Sequence, residues 1–406
     1  MKVLYVITGL QRAAGTTTFV ENVVKRLRSI GHFAEIVTTA GAFQDCDIVH
    51  IHGLWSGLLH KASQFARKNR IPVVWSTHGM TAPWSLRHKR WKKWLAWNLY
   101  QRRDLRRAAA IHCTSDQEVV WNATLGFMSC FVVPLGTREM SHAETPSAQR
   151  REGVLLFVGR IYPVKGLVNL IRAWKLIVSD DLPSFAKTSA DRPTSSPQCD
   201  PVNPVNHVKK TQPPSNCHLP LLPWRLRIVG PDQAGHLAEL KAEVGRLHLE
   251  NSIEFPGPKF GADLRREYES CDMLVLPSFT ENFGVTVIDA LAHGKPVIAS
   301  TATPWRELRE RGCGWWVDNS PEALSAALRE AMSLSDPERR EMGARGRALV
   351  EEKYTWNAVV KTMIEGYEGV LRKSEKLLTF LPGESHGQRS LVDFSPWGCK
   401  ESDSTD

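Results

Sequence analysis

The sequence of 406 residues predicts an α/β protein of two doubly wound, Rossmann-like domains that face a cleft. Short apolar runs alternate with helical patterns from residue 3 onward, which is typical of βαβ units around a parallel sheet. A polar stretch at residues 138–152 interrupts this rhythm, and the alternation restarts at residue 154. The length suits two domains of roughly 100–200 residues each. We therefore predict domains at residues 1–150 and 151–378.

The first domain is expected to alternate strands with amphipathic helices. Runs of aliphatic and β-branched residues predict its strands, at residues 3–7, 34–38, 47–52, 73–76, 110–114 and 131–133. Apolar residues at helical spacing predict its helices, at residues 18–29, 58–69 and 91–109. The order of these elements favours a parallel sheet covered on both faces.

The second domain repeats the pattern. Its strands are predicted at residues 154–158, 226–229, 252–255, 273–276 and 296–300. Helices are predicted at residues 167–178 and 285–293, and a helix at residues 355–371 closes the folded chain. Residues 180–223 are rich in Pro, Ser, Thr and Asn without periodicity, which indicates a disordered insertion. The tail at residues 379–406 is also non-periodic and resembles a translated genomic repeat, so we assign it no function.

Composition indicates a cytoplasmic protein of enzyme size. Apolar residues make up 42% of the chain and charged residues 23%, which is ordinary for a soluble globular protein. No apolar run approaches the roughly 18 residues that span a bilayer. The apolar start at residues 1–7 has no cleavage-site pattern and is interpreted as a first strand. Eight cysteines without a Cys-x-x-Cys pair fit reduced thiols.

The net charge of +9 is concentrated at residues 84–107, which we call the basic aromatic segment. Its cations face a single acid, Asp104, and aromatic residues are interleaved with them: Trp84, Trp91, Trp94, Trp97 and Tyr100. The three tryptophans from Trp91 to Trp97, with Leu95 and Leu99, are predicted to share one helical face. Two interpretations remain open for such a helix. It packs into the core and exposes its basic face to solvent, or it rests on anionic lipid at the inner face of a membrane. No nucleic-acid motif is present, and we expect no nucleic-acid partner.

The residues that indicate function follow the strand at residues 273–276. Pro277 closes this strand, and Glu281 and Asp289 flank the passage into the next helix. In open α/β sheets, ligands bind where strands end, and the free backbone N–H groups of a first helical turn bind anions. The backbone of Asn282, Phe283, Gly284 and Val285 is therefore predicted to bind the phosphates of a ligand that also has hydroxyl groups.

A second motif follows the first strand of the second domain, in the sequence Gly-Arg-x4-Lys-Gly. It begins at Gly159, and Arg160 and Lys165 are predicted to present two cations to one point, with Gly166 opening the next helix. Arg supplies a planar fork of donors and Lys a compact charge, a pair suited to a diphosphate.

These motifs resemble those of the retaining GT-B glycosyltransferases of the family 4 type, the group 1 enzymes of bacterial surface-polysaccharide synthesis. Further motifs that resemble those of the family occur in the same order along the chain: Ala14-Gly15, Thr77-His78-Gly79-Met80 and Ile228-Val229-Gly230-Pro231. The resemblance extends from residue 1 to about residue 371, so it implies an acceptor domain followed by a nucleotide-sugar domain. Two departures stand out, because Ala14 replaces the first Gly of a pair and Asp289 replaces a second Glu.

The resemblance also implies residue roles. Arg160 and Lys165 hold the donor diphosphate, Glu281 lies by the transferred sugar, and Asp289 binds the ribose hydroxyls. Gly15 lets the backbone approach the donor phosphates or the acceptor, and His78 contacts the sugar or its phosphate.

Two other patterns are less informative. His50 and His52 lie on one strand face, but no further ligand group supports a metal, so an acceptor-side or structural role is expected. Asp45-Cys46-Asp47 has the Asp-x-Asp form of metal-dependent glycosyltransferases, but it merely precedes a strand. We therefore predict an enzyme without metal or cofactor, in which cations and a helix N-terminus stabilise the leaving diphosphate.

The sequence thus predicts a retaining glycosyltransferase that moves a sugar from a UDP- or GDP-sugar to an acceptor hydroxyl. The expected acceptor is a glycan or glycolipid of lipopolysaccharide or exopolysaccharide synthesis. Two alternatives remain open: a non-catalytic relative that binds glycan or membrane, and an enzyme like the UDP-sugar 2-epimerases, which shares the two-domain architecture.

Overall fold

The computed structural model describes residues 1–9, 15–87, 90–137, 152–180 and 224–379. Ala14, Lys89 and, apart from residues at their edges, the predicted linker, insertion and tail lie outside the described residues.

The first sheet is parallel throughout, with strand order β2-β1-β3-β4-β5-β6. Its strands are β1 (Lys2–Val6), β2 (Phe33–Val37), β3 (Ile48–His52), β4 (Val73–Ser76), β5 (Ala110–Cys113) and β6 (Cys130–Val132). The connecting helices are α1 (Gly15–Ser29), α2 (Gly57–Lys68), α3 (Pro83–Arg87), α4 (Arg90–Ala96), α5 (Arg102–Arg106) and α6 (Asp116–Thr124). Every residue of β3, β4 and β5 is buried, as expected for a parallel sheet with both faces covered.

The second sheet is also parallel, with strand order β12-β11-β10-β7-β8-β9. Its strands are β7 (Gly153–Val158), β8 (Trp224–Val229), β9 (Ile253–Gly257), β10 (Met273–Leu276), β11 (Val297–Ser300) and β12 (Gly314–Val317). The helices are α7 (Leu167–Asp180), α8 (His236–Arg246), α9 (Gly261–Ser270), α10 (Val285–Ala292), α11 (Glu307–Glu310), α12 (Pro321–Ser333), α13 (Asp336–Leu349) and α14 (Trp356–Thr379). This order is that of a dinucleotide-binding fold, with a switch point between β7 and β10.

The prediction of two doubly wound domains is confirmed, and every predicted strand overlaps an observed one. The predicted elements did not include strand β12 or helices α3, α6, α8, α9, α11, α12 and α13. Apolar strand cores are recognisable from short runs of sequence, whereas helices such as α13 and α9 are mostly polar and give a weaker pattern.

The last helix, α14, packs against the first sheet, although the sequence places it at the end of the second domain. Its buried residues Val359, Val360 and Met363 join one apolar cluster with Tyr5 of β1 and Phe19 of α1. The last stretch of the folded chain therefore completes the core around the first strand.

The basic aromatic segment differs from the single helix predicted. A π-helical turn at Trp97–Gln101 separates α4 from α5, and it turns Trp97 into the core, where only 2% of its surface is exposed. Trp91 and Trp94 stay 69% and 50% exposed, so the three tryptophans do not share one face. The wider turn also directs the buried side chain of Gln101 inward, where it accepts a hydrogen bond from the backbone N–H of Trp55 at 2.9 Å.

Within the described residues, no helix combines the length and apolar character needed to cross a membrane.

Two glycines of α14 test its packing on the first sheet. A Cβ at Gly366 would lie 2.5 Å from the ring of Phe131 in β6, whereas a Cβ at Gly369 meets no atom within 4 Å. Gly366→Ala should therefore lower the free energy of unfolding by about 1–3 kcal/mol, as overpacking does. Gly369→Ala should raise it by up to about 1 kcal/mol through helix propensity. Thermal unfolding of the two full-length variants checks this, and equal shifts would contradict the packing.

Candidate functional site

The loops that follow β7 and β10 meet at the switch point of the second sheet. Gly166 ends the 3-10 turn Pro163–Lys165 with φ of +68°, and a Cβ there would lie 2.0 Å from the carbonyl oxygen of Pro277. The backbone N–H of Phe279 donates to the carbonyl oxygen of Val164 at 2.8 Å. Only glycine combines this positive φ with so close an approach, so Gly166 allows the two predicted motifs to come together.

Lys165 and Glu281 form a direct ion pair between these loops. Both side chains are largely buried, with 13% and 17% of their surfaces exposed. Both residues were predicted for one site, but for different parts of a ligand. In the structure the carboxylate neutralises the lysine, and a ligand phosphate would compete with Glu281 for its charge.

Arg160 does not converge with Lys165 on a common protein partner. Its side chain is exposed, and Nη1 donates to Oε1 of Gln233 at 3.1 Å. The preceding Gly159 packs closely against Gly230, where a Cβ would lie 1.8 Å from the carbonyl oxygen of Gly159. Lys165 therefore lies inside the site, and Arg160 lies at its exposed side.

Helix α10 begins at the site with an open N-terminus. Gly284 precedes it with φ of +85°, and no side chain caps the helix. Val285 is its first residue and is partly exposed. Phe283 is buried against the rings of Trp305 and Tyr354, and Nε1 of Trp305 donates to the carbonyl oxygen of Phe283. This aromatic support fixes the loop that presents the helix N-terminus, an anion-binding element.

Asn282 links this loop to the first domain, and we call its contacts the interdomain clasp. Its Nδ2 donates to Oγ1 of Thr114 at 2.9 Å, and its carbonyl oxygen accepts from Oγ of Ser115 at 2.9 Å. Gly79, with φ of +70°, lies against the Asn282 side chain, and a Cβ there would lie 2.8 Å from it. Asn282, next to Glu281, is therefore one of the points at which the two domains touch.

A fully buried carboxylate, Glu118 of α6, organises the first-domain half of the clasp. Oε1 accepts from Oγ1 of Thr77 and from the N–H of Gly79, both at 2.6 Å. Oε2 accepts from the N–H of Thr114 at 2.8 Å and from its Oγ1 at 3.0 Å. A buried charge is tolerated when each oxygen is satisfied in this way, so the loops after β4 and β5 are held in one arrangement.

His78 lies between two residues that Glu118 binds, with φ of +48°. Its Nε2 is 2.9 Å from Nδ1 of His52, the last residue of β3. Burial lowers the pKa of His78 to about 4 and, with the neighbouring histidines, holds that of His52 well below its usual value. Both rings are therefore neutral at pH 7. The sequence predicted an acceptor-side or structural role for His52. In the structure, His52 contacts His78 of the candidate site.

Two predicted site residues lie further out. Asp289 of α10 accepts a hydrogen bond at Oδ1 from Oγ1 of Thr137, at 2.9 Å. The backbone N–H of Thr137 donates to the carbonyl oxygen of Tyr354, where two segments of the chain cross between the domains. Gly15 is the first residue of α1 and is exposed, with nothing within 4 Å of a Cβ position.

In the Asp-x-Asp motif, Asp47 accepts from the backbone N–H of Lys2 at 2.6 Å.

Four residues of this site were not among the predicted ones: Glu118, Thr114, Ser115 and Trp305. A signal was available for Glu118, since Ser115-x-x-Glu118 has the form that begins a capped helix. Ser115 does cap α6 by accepting from the N–H of Glu118. The carboxylate itself bonds Thr114 instead, a contact that the capping pattern does not predict.

Comparison with protein families gives two matches along the chain. Residues 21–136 match the "Glycosyl transferase 4-like domain", which covers most of the first domain. Residues 218–349 match "Glycosyl transferases group 1", which covers most of the second domain, including Glu281 and Asp289.

Similar proteins of known name include two bacterial D-inositol 3-phosphate glycosyltransferases. The protein from Salinispora tropica is 31% identical over 154 residues, which cover 37% of this chain and 31% of the relative. The protein from Kineococcus radiotolerans is 28% identical over 264 residues, which cover 58% of this chain and 51% of the relative. The chain thus spans about half the length, or less, of these curated relatives.

Solved structures share the fold across nearly the whole chain. HepE from Anabaena, in complex with UDP and glucose, aligns with a TM-score of 0.64 at 17% identity, covering 91% of this chain and 100% of its own. WaaG, a glycosyltransferase involved in lipopolysaccharide biosynthesis, aligns with a TM-score of 0.56 at 14% identity, covering 88% of this chain and 98% of its own. At these identities the likeness shows the two-domain fold.

Gly79 provides a test of the interdomain clasp. Gly79→Ala should force Asn282 away and separate the domains, because the new methyl group would lie 2.8 Å from the Asn282 side chain. Small-angle X-ray scattering should show a larger radius of gyration. Asn282→Gly removes the obstructing atoms, so adding it to Gly79→Ala should cancel the clash.

Gly126→Ala is the matched control for this experiment. Gly126 has φ of +84° but no atom within 4 Å of a Cβ position, so its substitution adds backbone strain alone. The control should leave the radius of gyration unchanged. Equal behaviour of the two alanine variants would show that the contact between Gly79 and Asn282 does not hold the domains together.

Proposed function

The chain belongs to the group 1 glycosyl transferases, and we propose that it transfers a sugar from a nucleoside-diphosphate sugar to an acceptor hydroxyl. The observation that carries this proposal is the pair formed by Lys165 and Glu281 at the switch point of the second sheet. A cation and a carboxylate held together beside an open helix N-terminus suit a ligand with both a diphosphate and hydroxyl groups.

The diphosphate would be held by charge and by backbone N–H groups. Lys165 supplies a partly buried cation, and Arg160 adds an exposed guanidinium at the outer side. The open N-terminus of α10, from Gly284 and Val285, adds backbone donors and the positive end of the helix dipole. We propose that these groups, with no metal or cofactor, stabilise the charge that develops on the leaving diphosphate.

The sugar would lie between the two domains. Displaced from Lys165 by the diphosphate, Glu281 becomes available to accept hydrogen bonds from sugar hydroxyls. His78 lies on the first-domain loop that touches Asn282 through Gly79, so it would contact the sugar from that side. Asp289 would bind the ribose hydroxyls in place of Thr137, its present donor. Retention of the anomeric configuration is part of the proposal, on the resemblance of these motifs to the retaining enzymes.

The donor proposal is a UDP- or GDP-sugar. UDP is favoured for the first experiments, because HepE is described in complex with UDP and with UDP-glucose. The proposed acceptor is a glycan or glycolipid, as expected for lipopolysaccharide or exopolysaccharide synthesis.

We further propose that the basic aromatic segment rests on an anionic lipid surface, on the inner face of a membrane. Its exposed apolar side chains lie among exposed cations: Trp84, Trp91, Trp94, Leu95 and Leu99 beside Arg87, Arg90, Lys92 and Arg103. This combination matches a surface that is both apolar and negatively charged. The ring of Trp84 is 6.3 Å from that of Tyr162 in the loop between Arg160 and Lys165. A lipid-linked acceptor would therefore enter beside the donor site.

Lys165 and Glu281 are expected to affect donor binding in opposite ways. Lys165→Met should weaken UDP binding by about 2 kcal/mol, roughly thirtyfold, because a charged hydrogen bond to the diphosphate is lost. Glu281→Gln should leave UDP binding intact or tighten it, since the competing carboxylate is removed, while sugar transfer falls strongly. Isothermal titration calorimetry with UDP, GDP and UDP-glucose measures the binding.

Lys241→Met, at an exposed lysine of α8, is the control for the lysine substitution. Unchanged affinity in Lys165→Met would refute the donor site. Conversion of UDP-glucose without any acceptor would instead indicate an epimerase, and tight UDP binding without transfer to any glycan would indicate a non-catalytic relative.

The membrane proposal predicts salt-sensitive binding to anionic vesicles. Arg87→Glu with Lys92→Glu should weaken flotation with vesicles that contain phosphatidylglycerol by roughly tenfold or more, because each cation near such a surface contributes about 1 kcal/mol. Trp91→Ser with Trp94→Ser should weaken it as well, through lost apolar contact. Neither pair should change UDP affinity.

Lys61→Glu with Lys68→Glu reverses the same charge on exposed lysines of α2 and is the matched control. The control should keep most of the binding. Equal flotation with neutral and anionic vesicles, or an equal loss in the control, would show that the segment does not recognise anionic lipid.

A further inference from the structure

Four histidines of the first domain form two separate groups whose hydrogen bonds have definite directions. One group is a continuous chain that joins β1, α14, β3, β4 and β5. It runs from Tyr5 to Tyr367, His50, Ser76 and His112, and ends at the carbonyl oxygen of Val133, with contacts between 2.5 and 2.9 Å. The other group is the pair of His52 and His78.

The carbonyl oxygen of Val133 fixes the protons in the chain, because burial lowers the pKa of His112 to about 4 and leaves its ring neutral. A carbonyl only accepts, so Nε2 of His112 carries its proton, and Nδ1 accepts from the hydroxyl of Ser76. The Ser76 oxygen then accepts from Nε2–H of His50, whose Nδ1 accepts from Tyr367. Burial holds the pKa of His50 well below its usual value, so the ring is neutral. His50 and His112 are therefore both Nε2–H tautomers with both nitrogens satisfied.

His52 lies outside this chain but packs on it. Its ring is 4.1 Å from that of His50 and 5.6 Å from that of Tyr5, centre to centre. Only 2% of its surface is exposed, and its Nε2 is buried without a hydrogen-bond partner in the described residues. Because both nitrogens of His50 are already used, His50 cannot supply that partner.

The unpartnered Nε2 decides which tautomer His52 adopts. A neutral imidazole has one N–H donor and one acceptor nitrogen. If Nε2 carried the proton, a buried N–H group would have no acceptor among the described residues, an arrangement that folded proteins rarely contain. With the proton on Nδ1, Nε2 is only an unused lone pair, and Nδ1–H donates to Nε2 of His78 at 2.9 Å. His78 then accepts at Nε2 and must carry its own proton on Nδ1.

We propose that His52 is a positioning residue that holds His78 as the Nδ1–H tautomer, so that His78 offers the site a neutral hydrogen-bond donor. Nδ1 of His78 has no partner among the described residues, and its loop contacts Asn282 next to Glu281. A neutral donor at this position binds an oxygen of the substrate and cannot act as the base that removes a proton from the acceptor. That this oxygen belongs to a nucleoside-diphosphate sugar rests on the proposed function.

The tautomers are measured directly by long-range proton–nitrogen NMR spectra of the 15N-labelled full chain at pH 7. In the wild-type protein, His52 and His78 should give the Nδ1–H pattern, and His50 and His112 the Nε2–H pattern. His78→Gln identifies the His78 signals. Wild-type His78 in the Nε2–H form would overturn the proposal without any variant.

Two substitutions of His52 sharpen the test. His52→Asn places an amide nitrogen near the position of Nδ1, so it should still donate to His78 and preserve the Nδ1–H pattern. His52→Phe provides no donor, and His78 should revert to the Nε2–H form that free histidine favours in water. The patterns of His50 and His112 should not change in either variant, which confirms an intact fold. Identical His78 patterns in the two variants would overturn the positioning role.

The functional readout separates this inference from the proposed function. His52→Phe should lower sugar transfer from UDP-glucose by about tenfold, the factor that one ordinary hydrogen bond supplies, with little change in UDP affinity. His52→Asn should restore most of that loss. UDP-glucose should also shift the Nδ1–H signal of wild-type His78. If UDP-glucose binds and that signal stays fixed, the substrate contact is refuted while the tautomer stands. If UDP-glucose does not bind at all, the proposed donor fails instead.

Discussion

The buried carboxylate of Glu118 is the interaction on which the geometry of the site depends. One side chain binds the loop after β4 through Thr77 and Gly79, and the end of β5 through Thr114. Burying a carboxylate away from water is costly, and four donors compensate that cost in the observed arrangement of the two loops. The position of His78, which lies between Thr77 and Gly79, follows from this constraint.

The same constraint extends to the second domain through adjacent residues. Asn282 bonds to Thr114 and Ser115 of the first domain, while Glu281 pairs with Lys165 of its own domain. The ring of Phe283 packs on that of Trp305, and this contact supports the loop that contains Glu281 and Asn282. A ligand that takes Lys165 away from Glu281 therefore acts on the loop that also joins the domains. The proposed donor site and the contact between domains share one short segment.

The histidines of the first domain show how a buried polar network can specify chemistry. In the chain that ends at Val133 every polar side-chain atom has a hydrogen-bond partner, and the chain fastens α14 to the first sheet through Tyr367. His52 lies beside that chain without joining it, and its orphaned nitrogen leaves one consistent arrangement of protons. In the low-dielectric interior, an unpaired polar group costs free energy. The arrangement that leaves the fewest groups unpaired therefore also determines the tautomers of the histidines.

The sequence by itself determined the two doubly wound domains, every strand except β12, and the loops that contain Glu281 and Lys165. These features depend on local periodicity and on turn residues such as Gly166 and Gly284, which act over a few positions. The tertiary structure alone decided that Lys165 pairs with Glu281, 116 residues away, and that Ser115 meets Asn282, 167 residues away. It also returned α14 to the first sheet and turned Trp97 inward. The reason is physical: such contacts form only when distant segments satisfy each other's buried charges and polar groups, and no local pattern records which segments will meet.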